Sequence, residues 1–240
     1  MIPNTKDKLH NMDDRLNQLL NLAEKGKHKA CEQCPRKAGA SFAKSCVDHF
    51  PGSKNGLLIV LRDPGGSKGE GKFGGAAHTG KLCPICNDDK TAKLMKKFLL
   101  LSKIKNEKVY WSNTVLHGFK FRNEAPGSLA KRCCRKILEE MIQYIKPRAI
   151  LAIGMDALWN IMECLHGKEM PKVTSNLMFE KKFYFGKVSG VEVFGLFHPS
   201  HGSGNISRLT NGRLSEDDTW RIVTKKLQSK LPQNFFCFQE

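Results

Sequence analysis

Short apolar runs alternate along the chain with longer amphipathic segments, and this alternation constrains the fold more than any other feature of the sequence. The apolar runs are residues 57–61, 109–111, 149–153 and 191–197, and the helical patterns between them are residues 91–103, 129–145 and 155–165. Apolar runs of this length are typical of strands that are buried on both faces. The alternation predicts an α/β fold with a central four-stranded, mainly parallel sheet flanked by helices.

The regions outside this alternation predict two more helices and a division of the chain. Leucines at near-helical spacing predict an amphipathic helix over residues 7–26, and residues 216–227 predict a last helix. Residues 31–52 are rich in Cys, Lys, Ser and Gly and show little periodicity. We therefore expect a small N-terminal helical and metal-binding segment, residues 1–52, followed by an α/β domain, residues 53–240.

The charge of the chain points to a polyanionic partner. The 240 residues include 40 Lys and Arg against 23 Asp and Glu, a formal net charge of +17. This excess favours nucleic acid as a partner over the alternative of a merely soluble basic protein. The longest apolar runs are far shorter than the roughly 20 residues that a membrane helix needs, which excludes such a span. Residues 1–29 contain charges throughout and no apolar core of a signal peptide, so we expect a cytoplasmic monomer.

Polar side chains follow three of the predicted strands. Asp63 comes after the first strand, Asn113 after the second and His198 after the last. The carboxyl ends of parallel strands meet at one edge of a sheet, so these side chains are expected to lie together. A carboxylate can position water, an amide can both donate and accept, and an imidazole can donate to a developing anion. The alternatives are an ordinary Asp-Pro-Gly turn and a histidine that merely ends a strand.

The order of these motifs resembles the uracil-DNA glycosylase superfamily. Residues 61–65 read Leu-Arg-Asp-Pro-Gly, residues 111–116 read Trp-Ser-Asn-Thr-Val-Leu, and residues 198–200 read His-Pro-Ser. The resemblance implies that Asp63 orients the attacking water, that Asn113 reads the edge of an extruded pyrimidine, and that His198 stabilises the departing base anion. It also implies that Ser200 and Ser203 hold the DNA backbone.

The same resemblance implies further pocket residues. Residues 86–92, Cys-Asn-Asp-Asp-Lys-Thr-Ala, resemble the Asn-Asp-Asp-Pro-Thr-Ala element of a bacterial branch, with Lys in place of Pro. Either Asp88 or Asp89 can cap the helix that begins near Thr91, which leaves Asn87 and Asp88 as candidate pocket residues. Gly65 stands where one branch carries a Tyr that blocks the pyrimidine C5 position, so the sequence permits a bulky C5 substituent.

Two more elements are implied to contact the substrate. Phe73, in a Gly-rich stretch, is the candidate for stacking on the extruded base, and a core Phe is the alternative. In the superfamily the loop after the histidine motif wedges an apolar side chain into the duplex, which lowers the cost of extruding a nucleotide. Here that loop, residues 202–213, offers Ile206, Arg208 and Leu209.

The nine cysteines suggest a metal centre. The four potential ligands Cys31, Cys34, Cys46 and His49 fall within 19 residues, at spacings that suit a structural, tetrahedral zinc ion. One branch of the superfamily instead holds an iron–sulfur cluster, for which Cys133 or Cys134 would supply a later ligand, although His117 stands where that branch has another Cys. A mixed site that combines the first Cys pair with Cys83 and Cys86 is a third arrangement. We expect zinc, with an iron–sulfur cluster as the alternative.

These observations favour one function and leave two alternatives. We expect a monofunctional DNA glycosylase that flips out uracil or a C5-modified pyrimidine and hydrolyses its N-glycosidic bond, leaving an abasic site. One alternative is an antiviral glycosylase that removes a bulky modified cytosine, such as glucosylated hydroxymethylcytosine, from phage DNA. The other is a catalytically inactive, zinc-containing DNA-binding module.

Overall fold

A five-stranded sheet lies at the centre of the protein in the computed structural model. The structure describes residues 5–35, 42–45, 48–50, 52–62, 64, 79–118, 126–198, 206, 212 and 214–237, with side chains from residue 14 onwards. In spatial order the strands are β4 (Val109–Asn113), β2 (Leu57–Leu61), β5 (Ala149–Ile153), β7 (Val191–Leu196) and β6 (Tyr184–Val188). The first four are mutually parallel, and β6 is antiparallel to β7. The predicted α/β fold with a mainly parallel sheet is confirmed.

The sheet has one strand more than the sequence predicts. The central strand β5 is fully buried along its length, which explains its continuous apolar run. Strand β6 lies at the edge of the sheet, and four of its five residues are half-buried or exposed. It contains Gly186 and Lys187, so it lacks the apolar run that marks the buried strands.

Six α-helices accompany the sheet in the described part of the chain. They are α1 (Thr5–Glu24), α2 (Lys90–Ser102), α3 (Ser128–Ile145), α4 (Met155–His166), α5 (Ser175–Glu180) and α6 (Glu216–Lys230). All five predicted helices are present, and the ends differ by no more than three residues. The additional helix α5 has six residues, which is too short to show a helical period in the sequence. Helix α6 begins with a capping box in which Ser215 and Asp218 satisfy each other's backbone amides.

A two-stranded parallel sheet lies beside β4. It pairs β1 (Lys44–Ser45) with β3 (Lys81–Leu82). The Ser45 hydroxyl accepts a hydrogen bond of 3.2 Å from the backbone amide of Trp111, which fixes the small sheet against the edge of the large one. Single-turn 3-10 helices lie at Lys29–Cys31, Asn106–Lys108 and Gln233–Phe235.

Helix α1 packs on the same core as the sheet. Its buried side chains Leu16, Leu19 and Leu20 belong to the hydrophobic cluster that contains β2 and β5, and the helix contacts α3. Because α1 shares this core, the packing does not separate residues 1–52 from the rest of the chain, and the division after residue 52 stays a prediction. In the described residues, no helix has the length and apolar character that crossing a membrane requires.

Candidate active site

The carboxyl ends of four parallel strands form the edge of the sheet at which Asn113 and His198 lie. Beyond β2 and β4 the chain stays paired, because Thr114 N donates to Leu61 O at 2.8 Å and Val115 N donates to Arg62 O at 2.9 Å. The Thr114 hydroxyl also donates to Arg62 O at 2.7 Å. These bonds fix the backbone immediately before Asp63, whose own position lies outside the described residues.

Asn113, the last residue of β4, carries the most informative side chain at this edge. It is 1% exposed, and within the described part of the chain neither its amide nitrogen nor its amide oxygen has a hydrogen-bond partner. A buried polar group without a partner costs roughly 1–3 kcal/mol of stability. The fold therefore holds a desolvated donor and a desolvated acceptor side by side, which is the arrangement needed to read the edge of a base.

His198 lies at the end of β7, two strands away from the end of β2. The backbone amide of Gly154, which follows β5, donates to Leu196 O at 2.6 Å and so holds the ends of β5 and β7 together. Asn113 is aligned across the sheet with Leu196, two residues before His198, and neighbouring strands are about 4.8 Å apart, so three strand spacings put these two backbones about 14 Å apart. Strands β2, which Asp63 follows, and β5 lie within that span, which is wide enough for a nucleotide.

Gly154 is a residue of this edge that the sequence analysis missed. Its φ of +98° belongs to a region that side chains with a Cβ rarely adopt, and a Cβ built there would lie 3.4 Å from the Cβ of His198. The backbone conformation of the turn between β5 and α4 therefore favours glycine, and the histidine packs against this turn at an ordinary contact distance. A glycine placed between an apolar run and a helical pattern is the sequence signal that could have identified it.

Several predicted site residues lie outside the described residues. These are Asp63, Gly65, Phe73, Ser200, Ser203, Arg208 and Leu209. Ile206 is described and is 4% exposed, as part of the main hydrophobic cluster. Its role as a wedge in the duplex stays a prediction, and in the conformation seen here its side chain faces the core.

The structure gives Asn87 and its acidic neighbours separate environments. The amide nitrogen of Asn87 donates to Lys81 O at 2.9 Å and to Cys83 O at 2.8 Å, and its oxygen accepts from the Thr79 hydroxyl at 2.7 Å. These bonds engage Asn87 in holding its own loop. Asp89 caps α2 by accepting from Ala92 N at 2.9 Å, as one of the two predicted capping residues. Asp88 is exposed, and its carboxylate lies 3.5 Å from the ammonium group of Lys93.

Four buried thiols gather near the end of α1. Cys34 is hydrogen-bonded to both Cys133 and Cys134, and Cys31 is close enough to raise the pKa of Cys134. The bond with Cys34 and burial hold the pKa of Cys134 well above its usual value, although the backbone amide of Leu116 donates to its sulfur and opposes the shift. This grouping joins the first Cys pair to the two cysteines of α3.

The structure describes three of the four zinc ligands that the sequence predicts. Cys31 and Cys34 are buried, His49 is exposed, and Cys46 lies outside the described residues. His117 is 2% exposed, and burial lowers its pKa, so its imidazole is neutral at pH 7 and suited to bind a metal. Within the described ranges, no three His, Cys, Asp or Glu side chains are arranged to hold a metal ion. The thiols near α3 fit zinc or an iron–sulfur cluster in donor type, and their arrangement would have to adjust on binding.

Comparison with known proteins identifies the family. A family model described as the uracil DNA glycosylase superfamily matches residues 48–221, nearly three quarters of the chain. The matched region begins before β2 and ends within α6, so it contains all strands of the central sheet and the edge that carries Asn113 and His198. A comparison with curated proteins gives no significant match. The sheet, the order of the motifs and the family model agree, and the chain belongs to the uracil DNA glycosylase superfamily.

Proposed function

We propose that the protein is a monofunctional DNA glycosylase that extrudes a pyrimidine nucleotide and hydrolyses its N-glycosidic bond. The observation that carries this proposal is Asn113, whose buried amide has no partner within the described part of the chain. Protein folds seldom leave both ends of a buried amide unsatisfied, and a ligand is a common reason for such an exception. A pyrimidine edge offers the complementary donor and acceptor.

The environment of Asn113 also explains why the amide alone does not select one pyrimidine. Uracil presents a donor at N3 and an acceptor at O4, whereas cytosine presents an acceptor at N3 and a donor at N4. An amide can pair with either edge after a half-turn about its last bond. No described residue fixes the orientation of the Asn113 amide, so groups supplied by other parts of the pocket must set the base preference.

The proposed chemistry assigns one task to each polar residue. Asp63 positions water on the sugar and offsets the positive charge that develops as the glycosidic bond breaks. His198 donates a hydrogen bond to the oxygen of the departing base anion. Backbone pairing after β2 and the bond between Gly154 and Leu196 support the two residues from beneath. The products are the free base and an abasic sugar.

The proposed substrates are uracil and C5-modified pyrimidines. Gly65 gives no side chain to cover the C5 position, and the sequence around it is rich in glycine. The lack of a side chain at residue 65 supports a bulky modified cytosine, as found in phage DNA, as the alternative substrate of an antiviral enzyme. We place the enzyme in the cytoplasm as a monomer, where either substrate can be met.

A panel of DNA duplexes distinguishes these substrates. Duplexes with one uracil, one hydroxymethylcytosine or one glucosylated hydroxymethylcytosine would be incubated with wild type, Asp63→Ala and the control Asp217→Ala, and released bases would be measured by mass spectrometry. Asp217 is a half-exposed carboxylate of α6 that pairs with Lys97 at 2.8 Å and belongs to none of the motifs. Release by wild type and Asp217→Ala but not by Asp63→Ala supports the proposal. DNA binding without base release from any duplex would support the inactive binding module instead.

The turn at Gly154, which packs against His198, gives a test of positioning. Alanine at Gly154 is expected to strain the backbone, because residues with a Cβ rarely adopt a φ of +98°, although the added Cβ itself would lie at an ordinary contact distance of 3.4 Å from His198. A shift of about 1 Å in the turn would displace His198 with it and lower base release about 100-fold. Gly167→Ala is the control for a glycine with positive φ at the other end of α4, since Gly167 has a φ of +65° and no described atom lies within 4 Å of an added Cβ there. Rates would be compared per folded molecule, with folding measured by circular dichroism. Equal rates for the two variants would refute the positioning role.

We also propose a structural metal centre that includes Cys31, Cys34 and Cys134. Such a centre would hold the segment after α1, which carries Cys31 and Cys34, against α3, and binding requires the thiols to lose their protons. The ion takes no part in the steps described above. Zinc and iron–sulfur centres are distinguished by metal analysis and by the brown colour of an iron–sulfur protein.

Removal of one ligand tests this centre. Cys134→Ala is expected to lose most of the bound metal and to unfold at a lower temperature than wild type, because the metal contributes to folding. Cys164→Ala is the control, since Cys164 is a buried thiol outside the group and burial raises its pKa to about 12. If Cys134→Ala retains the wild-type metal content, the assignment of Cys134 is wrong.

A further inference from the structure

A basic cleft of about 610 Å³ lies at the edge of the sheet opposite the active site. Arg148 immediately precedes β5, Asn55 precedes β2, and Glu192 lies at the start of β7, so the cleft is at the amino ends of these strands. Strands of five residues separate the two edges by about 17 Å. The cleft is therefore distinct from the site that contains Asn113 and His198.

The charges that line the cleft are unbalanced. Among the described residues that line it are four cations and one carboxylate, that of Glu192; the cations are Lys146, Arg148, Lys187 and Lys230. Glu192 accepts a hydrogen bond of 2.5 Å from the Tyr184 hydroxyl. Burial, together with this bond, raises the pKa of Tyr184 to about 12, so the phenol remains a neutral donor at pH 7. Within the described chain, none of the four cationic groups forms an ion pair.

The backbone beneath these cations is held firmly. Arg148 N donates to Gly56 O at 2.9 Å, and Glu192 N donates to Arg148 O at 3.1 Å. The backbone of Arg148 is thus hydrogen-bonded to the neighbouring segments on both sides. Lys146 ends α3 with a φ of +47°, and its amide donates to Ile142 O at 2.8 Å. The ammonium group of Lys230 lies 5.2 Å from the centre of the Tyr184 ring. The cations are thus presented from a fixed frame, with flexible and exposed ends.

We propose that this cleft binds the sugar–phosphate backbone of a second DNA segment while the opposite edge holds the first. The described lining of the cleft has a net excess of three positive charges, four cations against one carboxylate, and exposed Lys ends suit the spaced phosphates of a polymer. It lacks the enclosure expected for a free nucleotide, since its cationic residues are all exposed. The proposal rests on the proposed function in one respect, namely that DNA is the polyanion that the protein binds.

Capture of a second duplex tests the proposal. A 30-base-pair duplex fixed to beads would be loaded with protein, and the binding of a second, fluorescent 30-base-pair duplex would be measured over a range of salt concentrations. The cleft variant would combine Lys146→Gln, Arg148→Gln and Lys187→Gln. The control would combine Lys25→Gln, Lys103→Gln and Lys225→Gln, which removes the same charge from exposed positions outside the cleft.

The cleft variant is expected to capture the second duplex at least about tenfold less well than wild type. The dependence of capture on salt concentration should also weaken, by the amount that corresponds to about three lost phosphate contacts. The control variant should match wild type, and both should release bases normally from a short substrate. Equal loss in both variants would show a general effect of charge and overturn the proposal. If inorganic tripolyphosphate blocks capture by wild type but not the residual capture by the cleft variant, the cleft is a phosphate site. If wild type binds tripolyphosphate but captures no second duplex, the cleft is a site for a small anion and the proposal is overturned.

Capture of the second duplex does not require base release, so the experiment can refute the cleft and the glycosylase activity independently. Normal base release with unimpaired capture by the cleft variant would refute the cleft alone. Loss of capture in the cleft variant, with no base released by wild type from any duplex, would leave the cleft standing and refute the glycosylase.

Discussion

Base release by the His198→Ala variant is expected to fall about 100- to 1000-fold below that of wild type. The imidazole supplies a hydrogen bond that strengthens as negative charge develops on the departing base, and removal of one such donor has an effect of this size. The loss should appear in the rate of a single turnover at saturating enzyme, since the residue acts on the transition state more than on binding. Quantification of the free base over time measures this rate directly.

His166→Ala is the matched control, because His166 is an exposed histidine at the end of α4. It should release bases at the wild-type rate. Both variants should unfold within about 1 kcal/mol of wild type, which separates a catalytic defect from a folding defect. If His198→Ala releases bases at more than about a third of the wild-type rate, the histidine has no role in stabilising the leaving group.

Asn113→Leu is expected to lower activity and raise stability together. Leucine has a similar volume and removes two buried polar atoms that have no partner among the described residues, so the free energy of unfolding should rise by up to about 1–3 kcal/mol. The same change removes the donor and the acceptor that read the base. A paired contact of that kind contributes about 1–3 kcal/mol, which corresponds to a loss of about 5- to 150-fold in kcat/KM. Urea unfolding and base-release kinetics give the two values.

Asn160→Leu provides the contrasting control. Asn160 is as deeply buried, at 2% exposed, but its amide donates to Asp156 O at 2.7 Å. Loss of a satisfied hydrogen bond should lower the free energy of unfolding by about 1 kcal/mol and leave kcat/KM unchanged. A destabilised Asn113→Leu variant would mean that the amide is already satisfied within the protein and is not kept for a ligand.

The sequence predicts most of the sheet because burial on both faces forces an apolar run. Strand β5 is a clear example, since every one of its residues is fully buried. Strand β6 escapes prediction because an edge strand needs only one covered face and tolerates Gly186 and Lys187. Helix α5 escapes because six residues are too few to establish a period.

The candidate site is predictable where the chain order alone places a residue at the end of a strand. Asn113 and His198 are of this kind, and the structure brings them to one edge. Contacts between distant segments are different. The grouping of Cys34 with Cys133 and Cys134 depends on how the segment after α1 packs against α3, which spacing along the chain does not encode. Only the resemblance to the iron–sulfur branch points to it, as the alternative to the predicted zinc site. Likewise, the use of the Asn87 amide within its own loop follows from a turn geometry that the sequence does not reveal.

Analysis of both reaction products tests the central claim most directly. Wild-type protein would be incubated with duplexes that contain uracil or a C5-modified cytosine, and the free base and the abasic strand would be weighed by mass spectrometry. The account predicts the free base and a strand that remains intact and carries an abasic sugar at the substrate position. Attack by an amine of the protein would instead give a strand cleaved at the abasic sugar, and the absence of free base from every duplex would contradict the assignment of glycosylase activity.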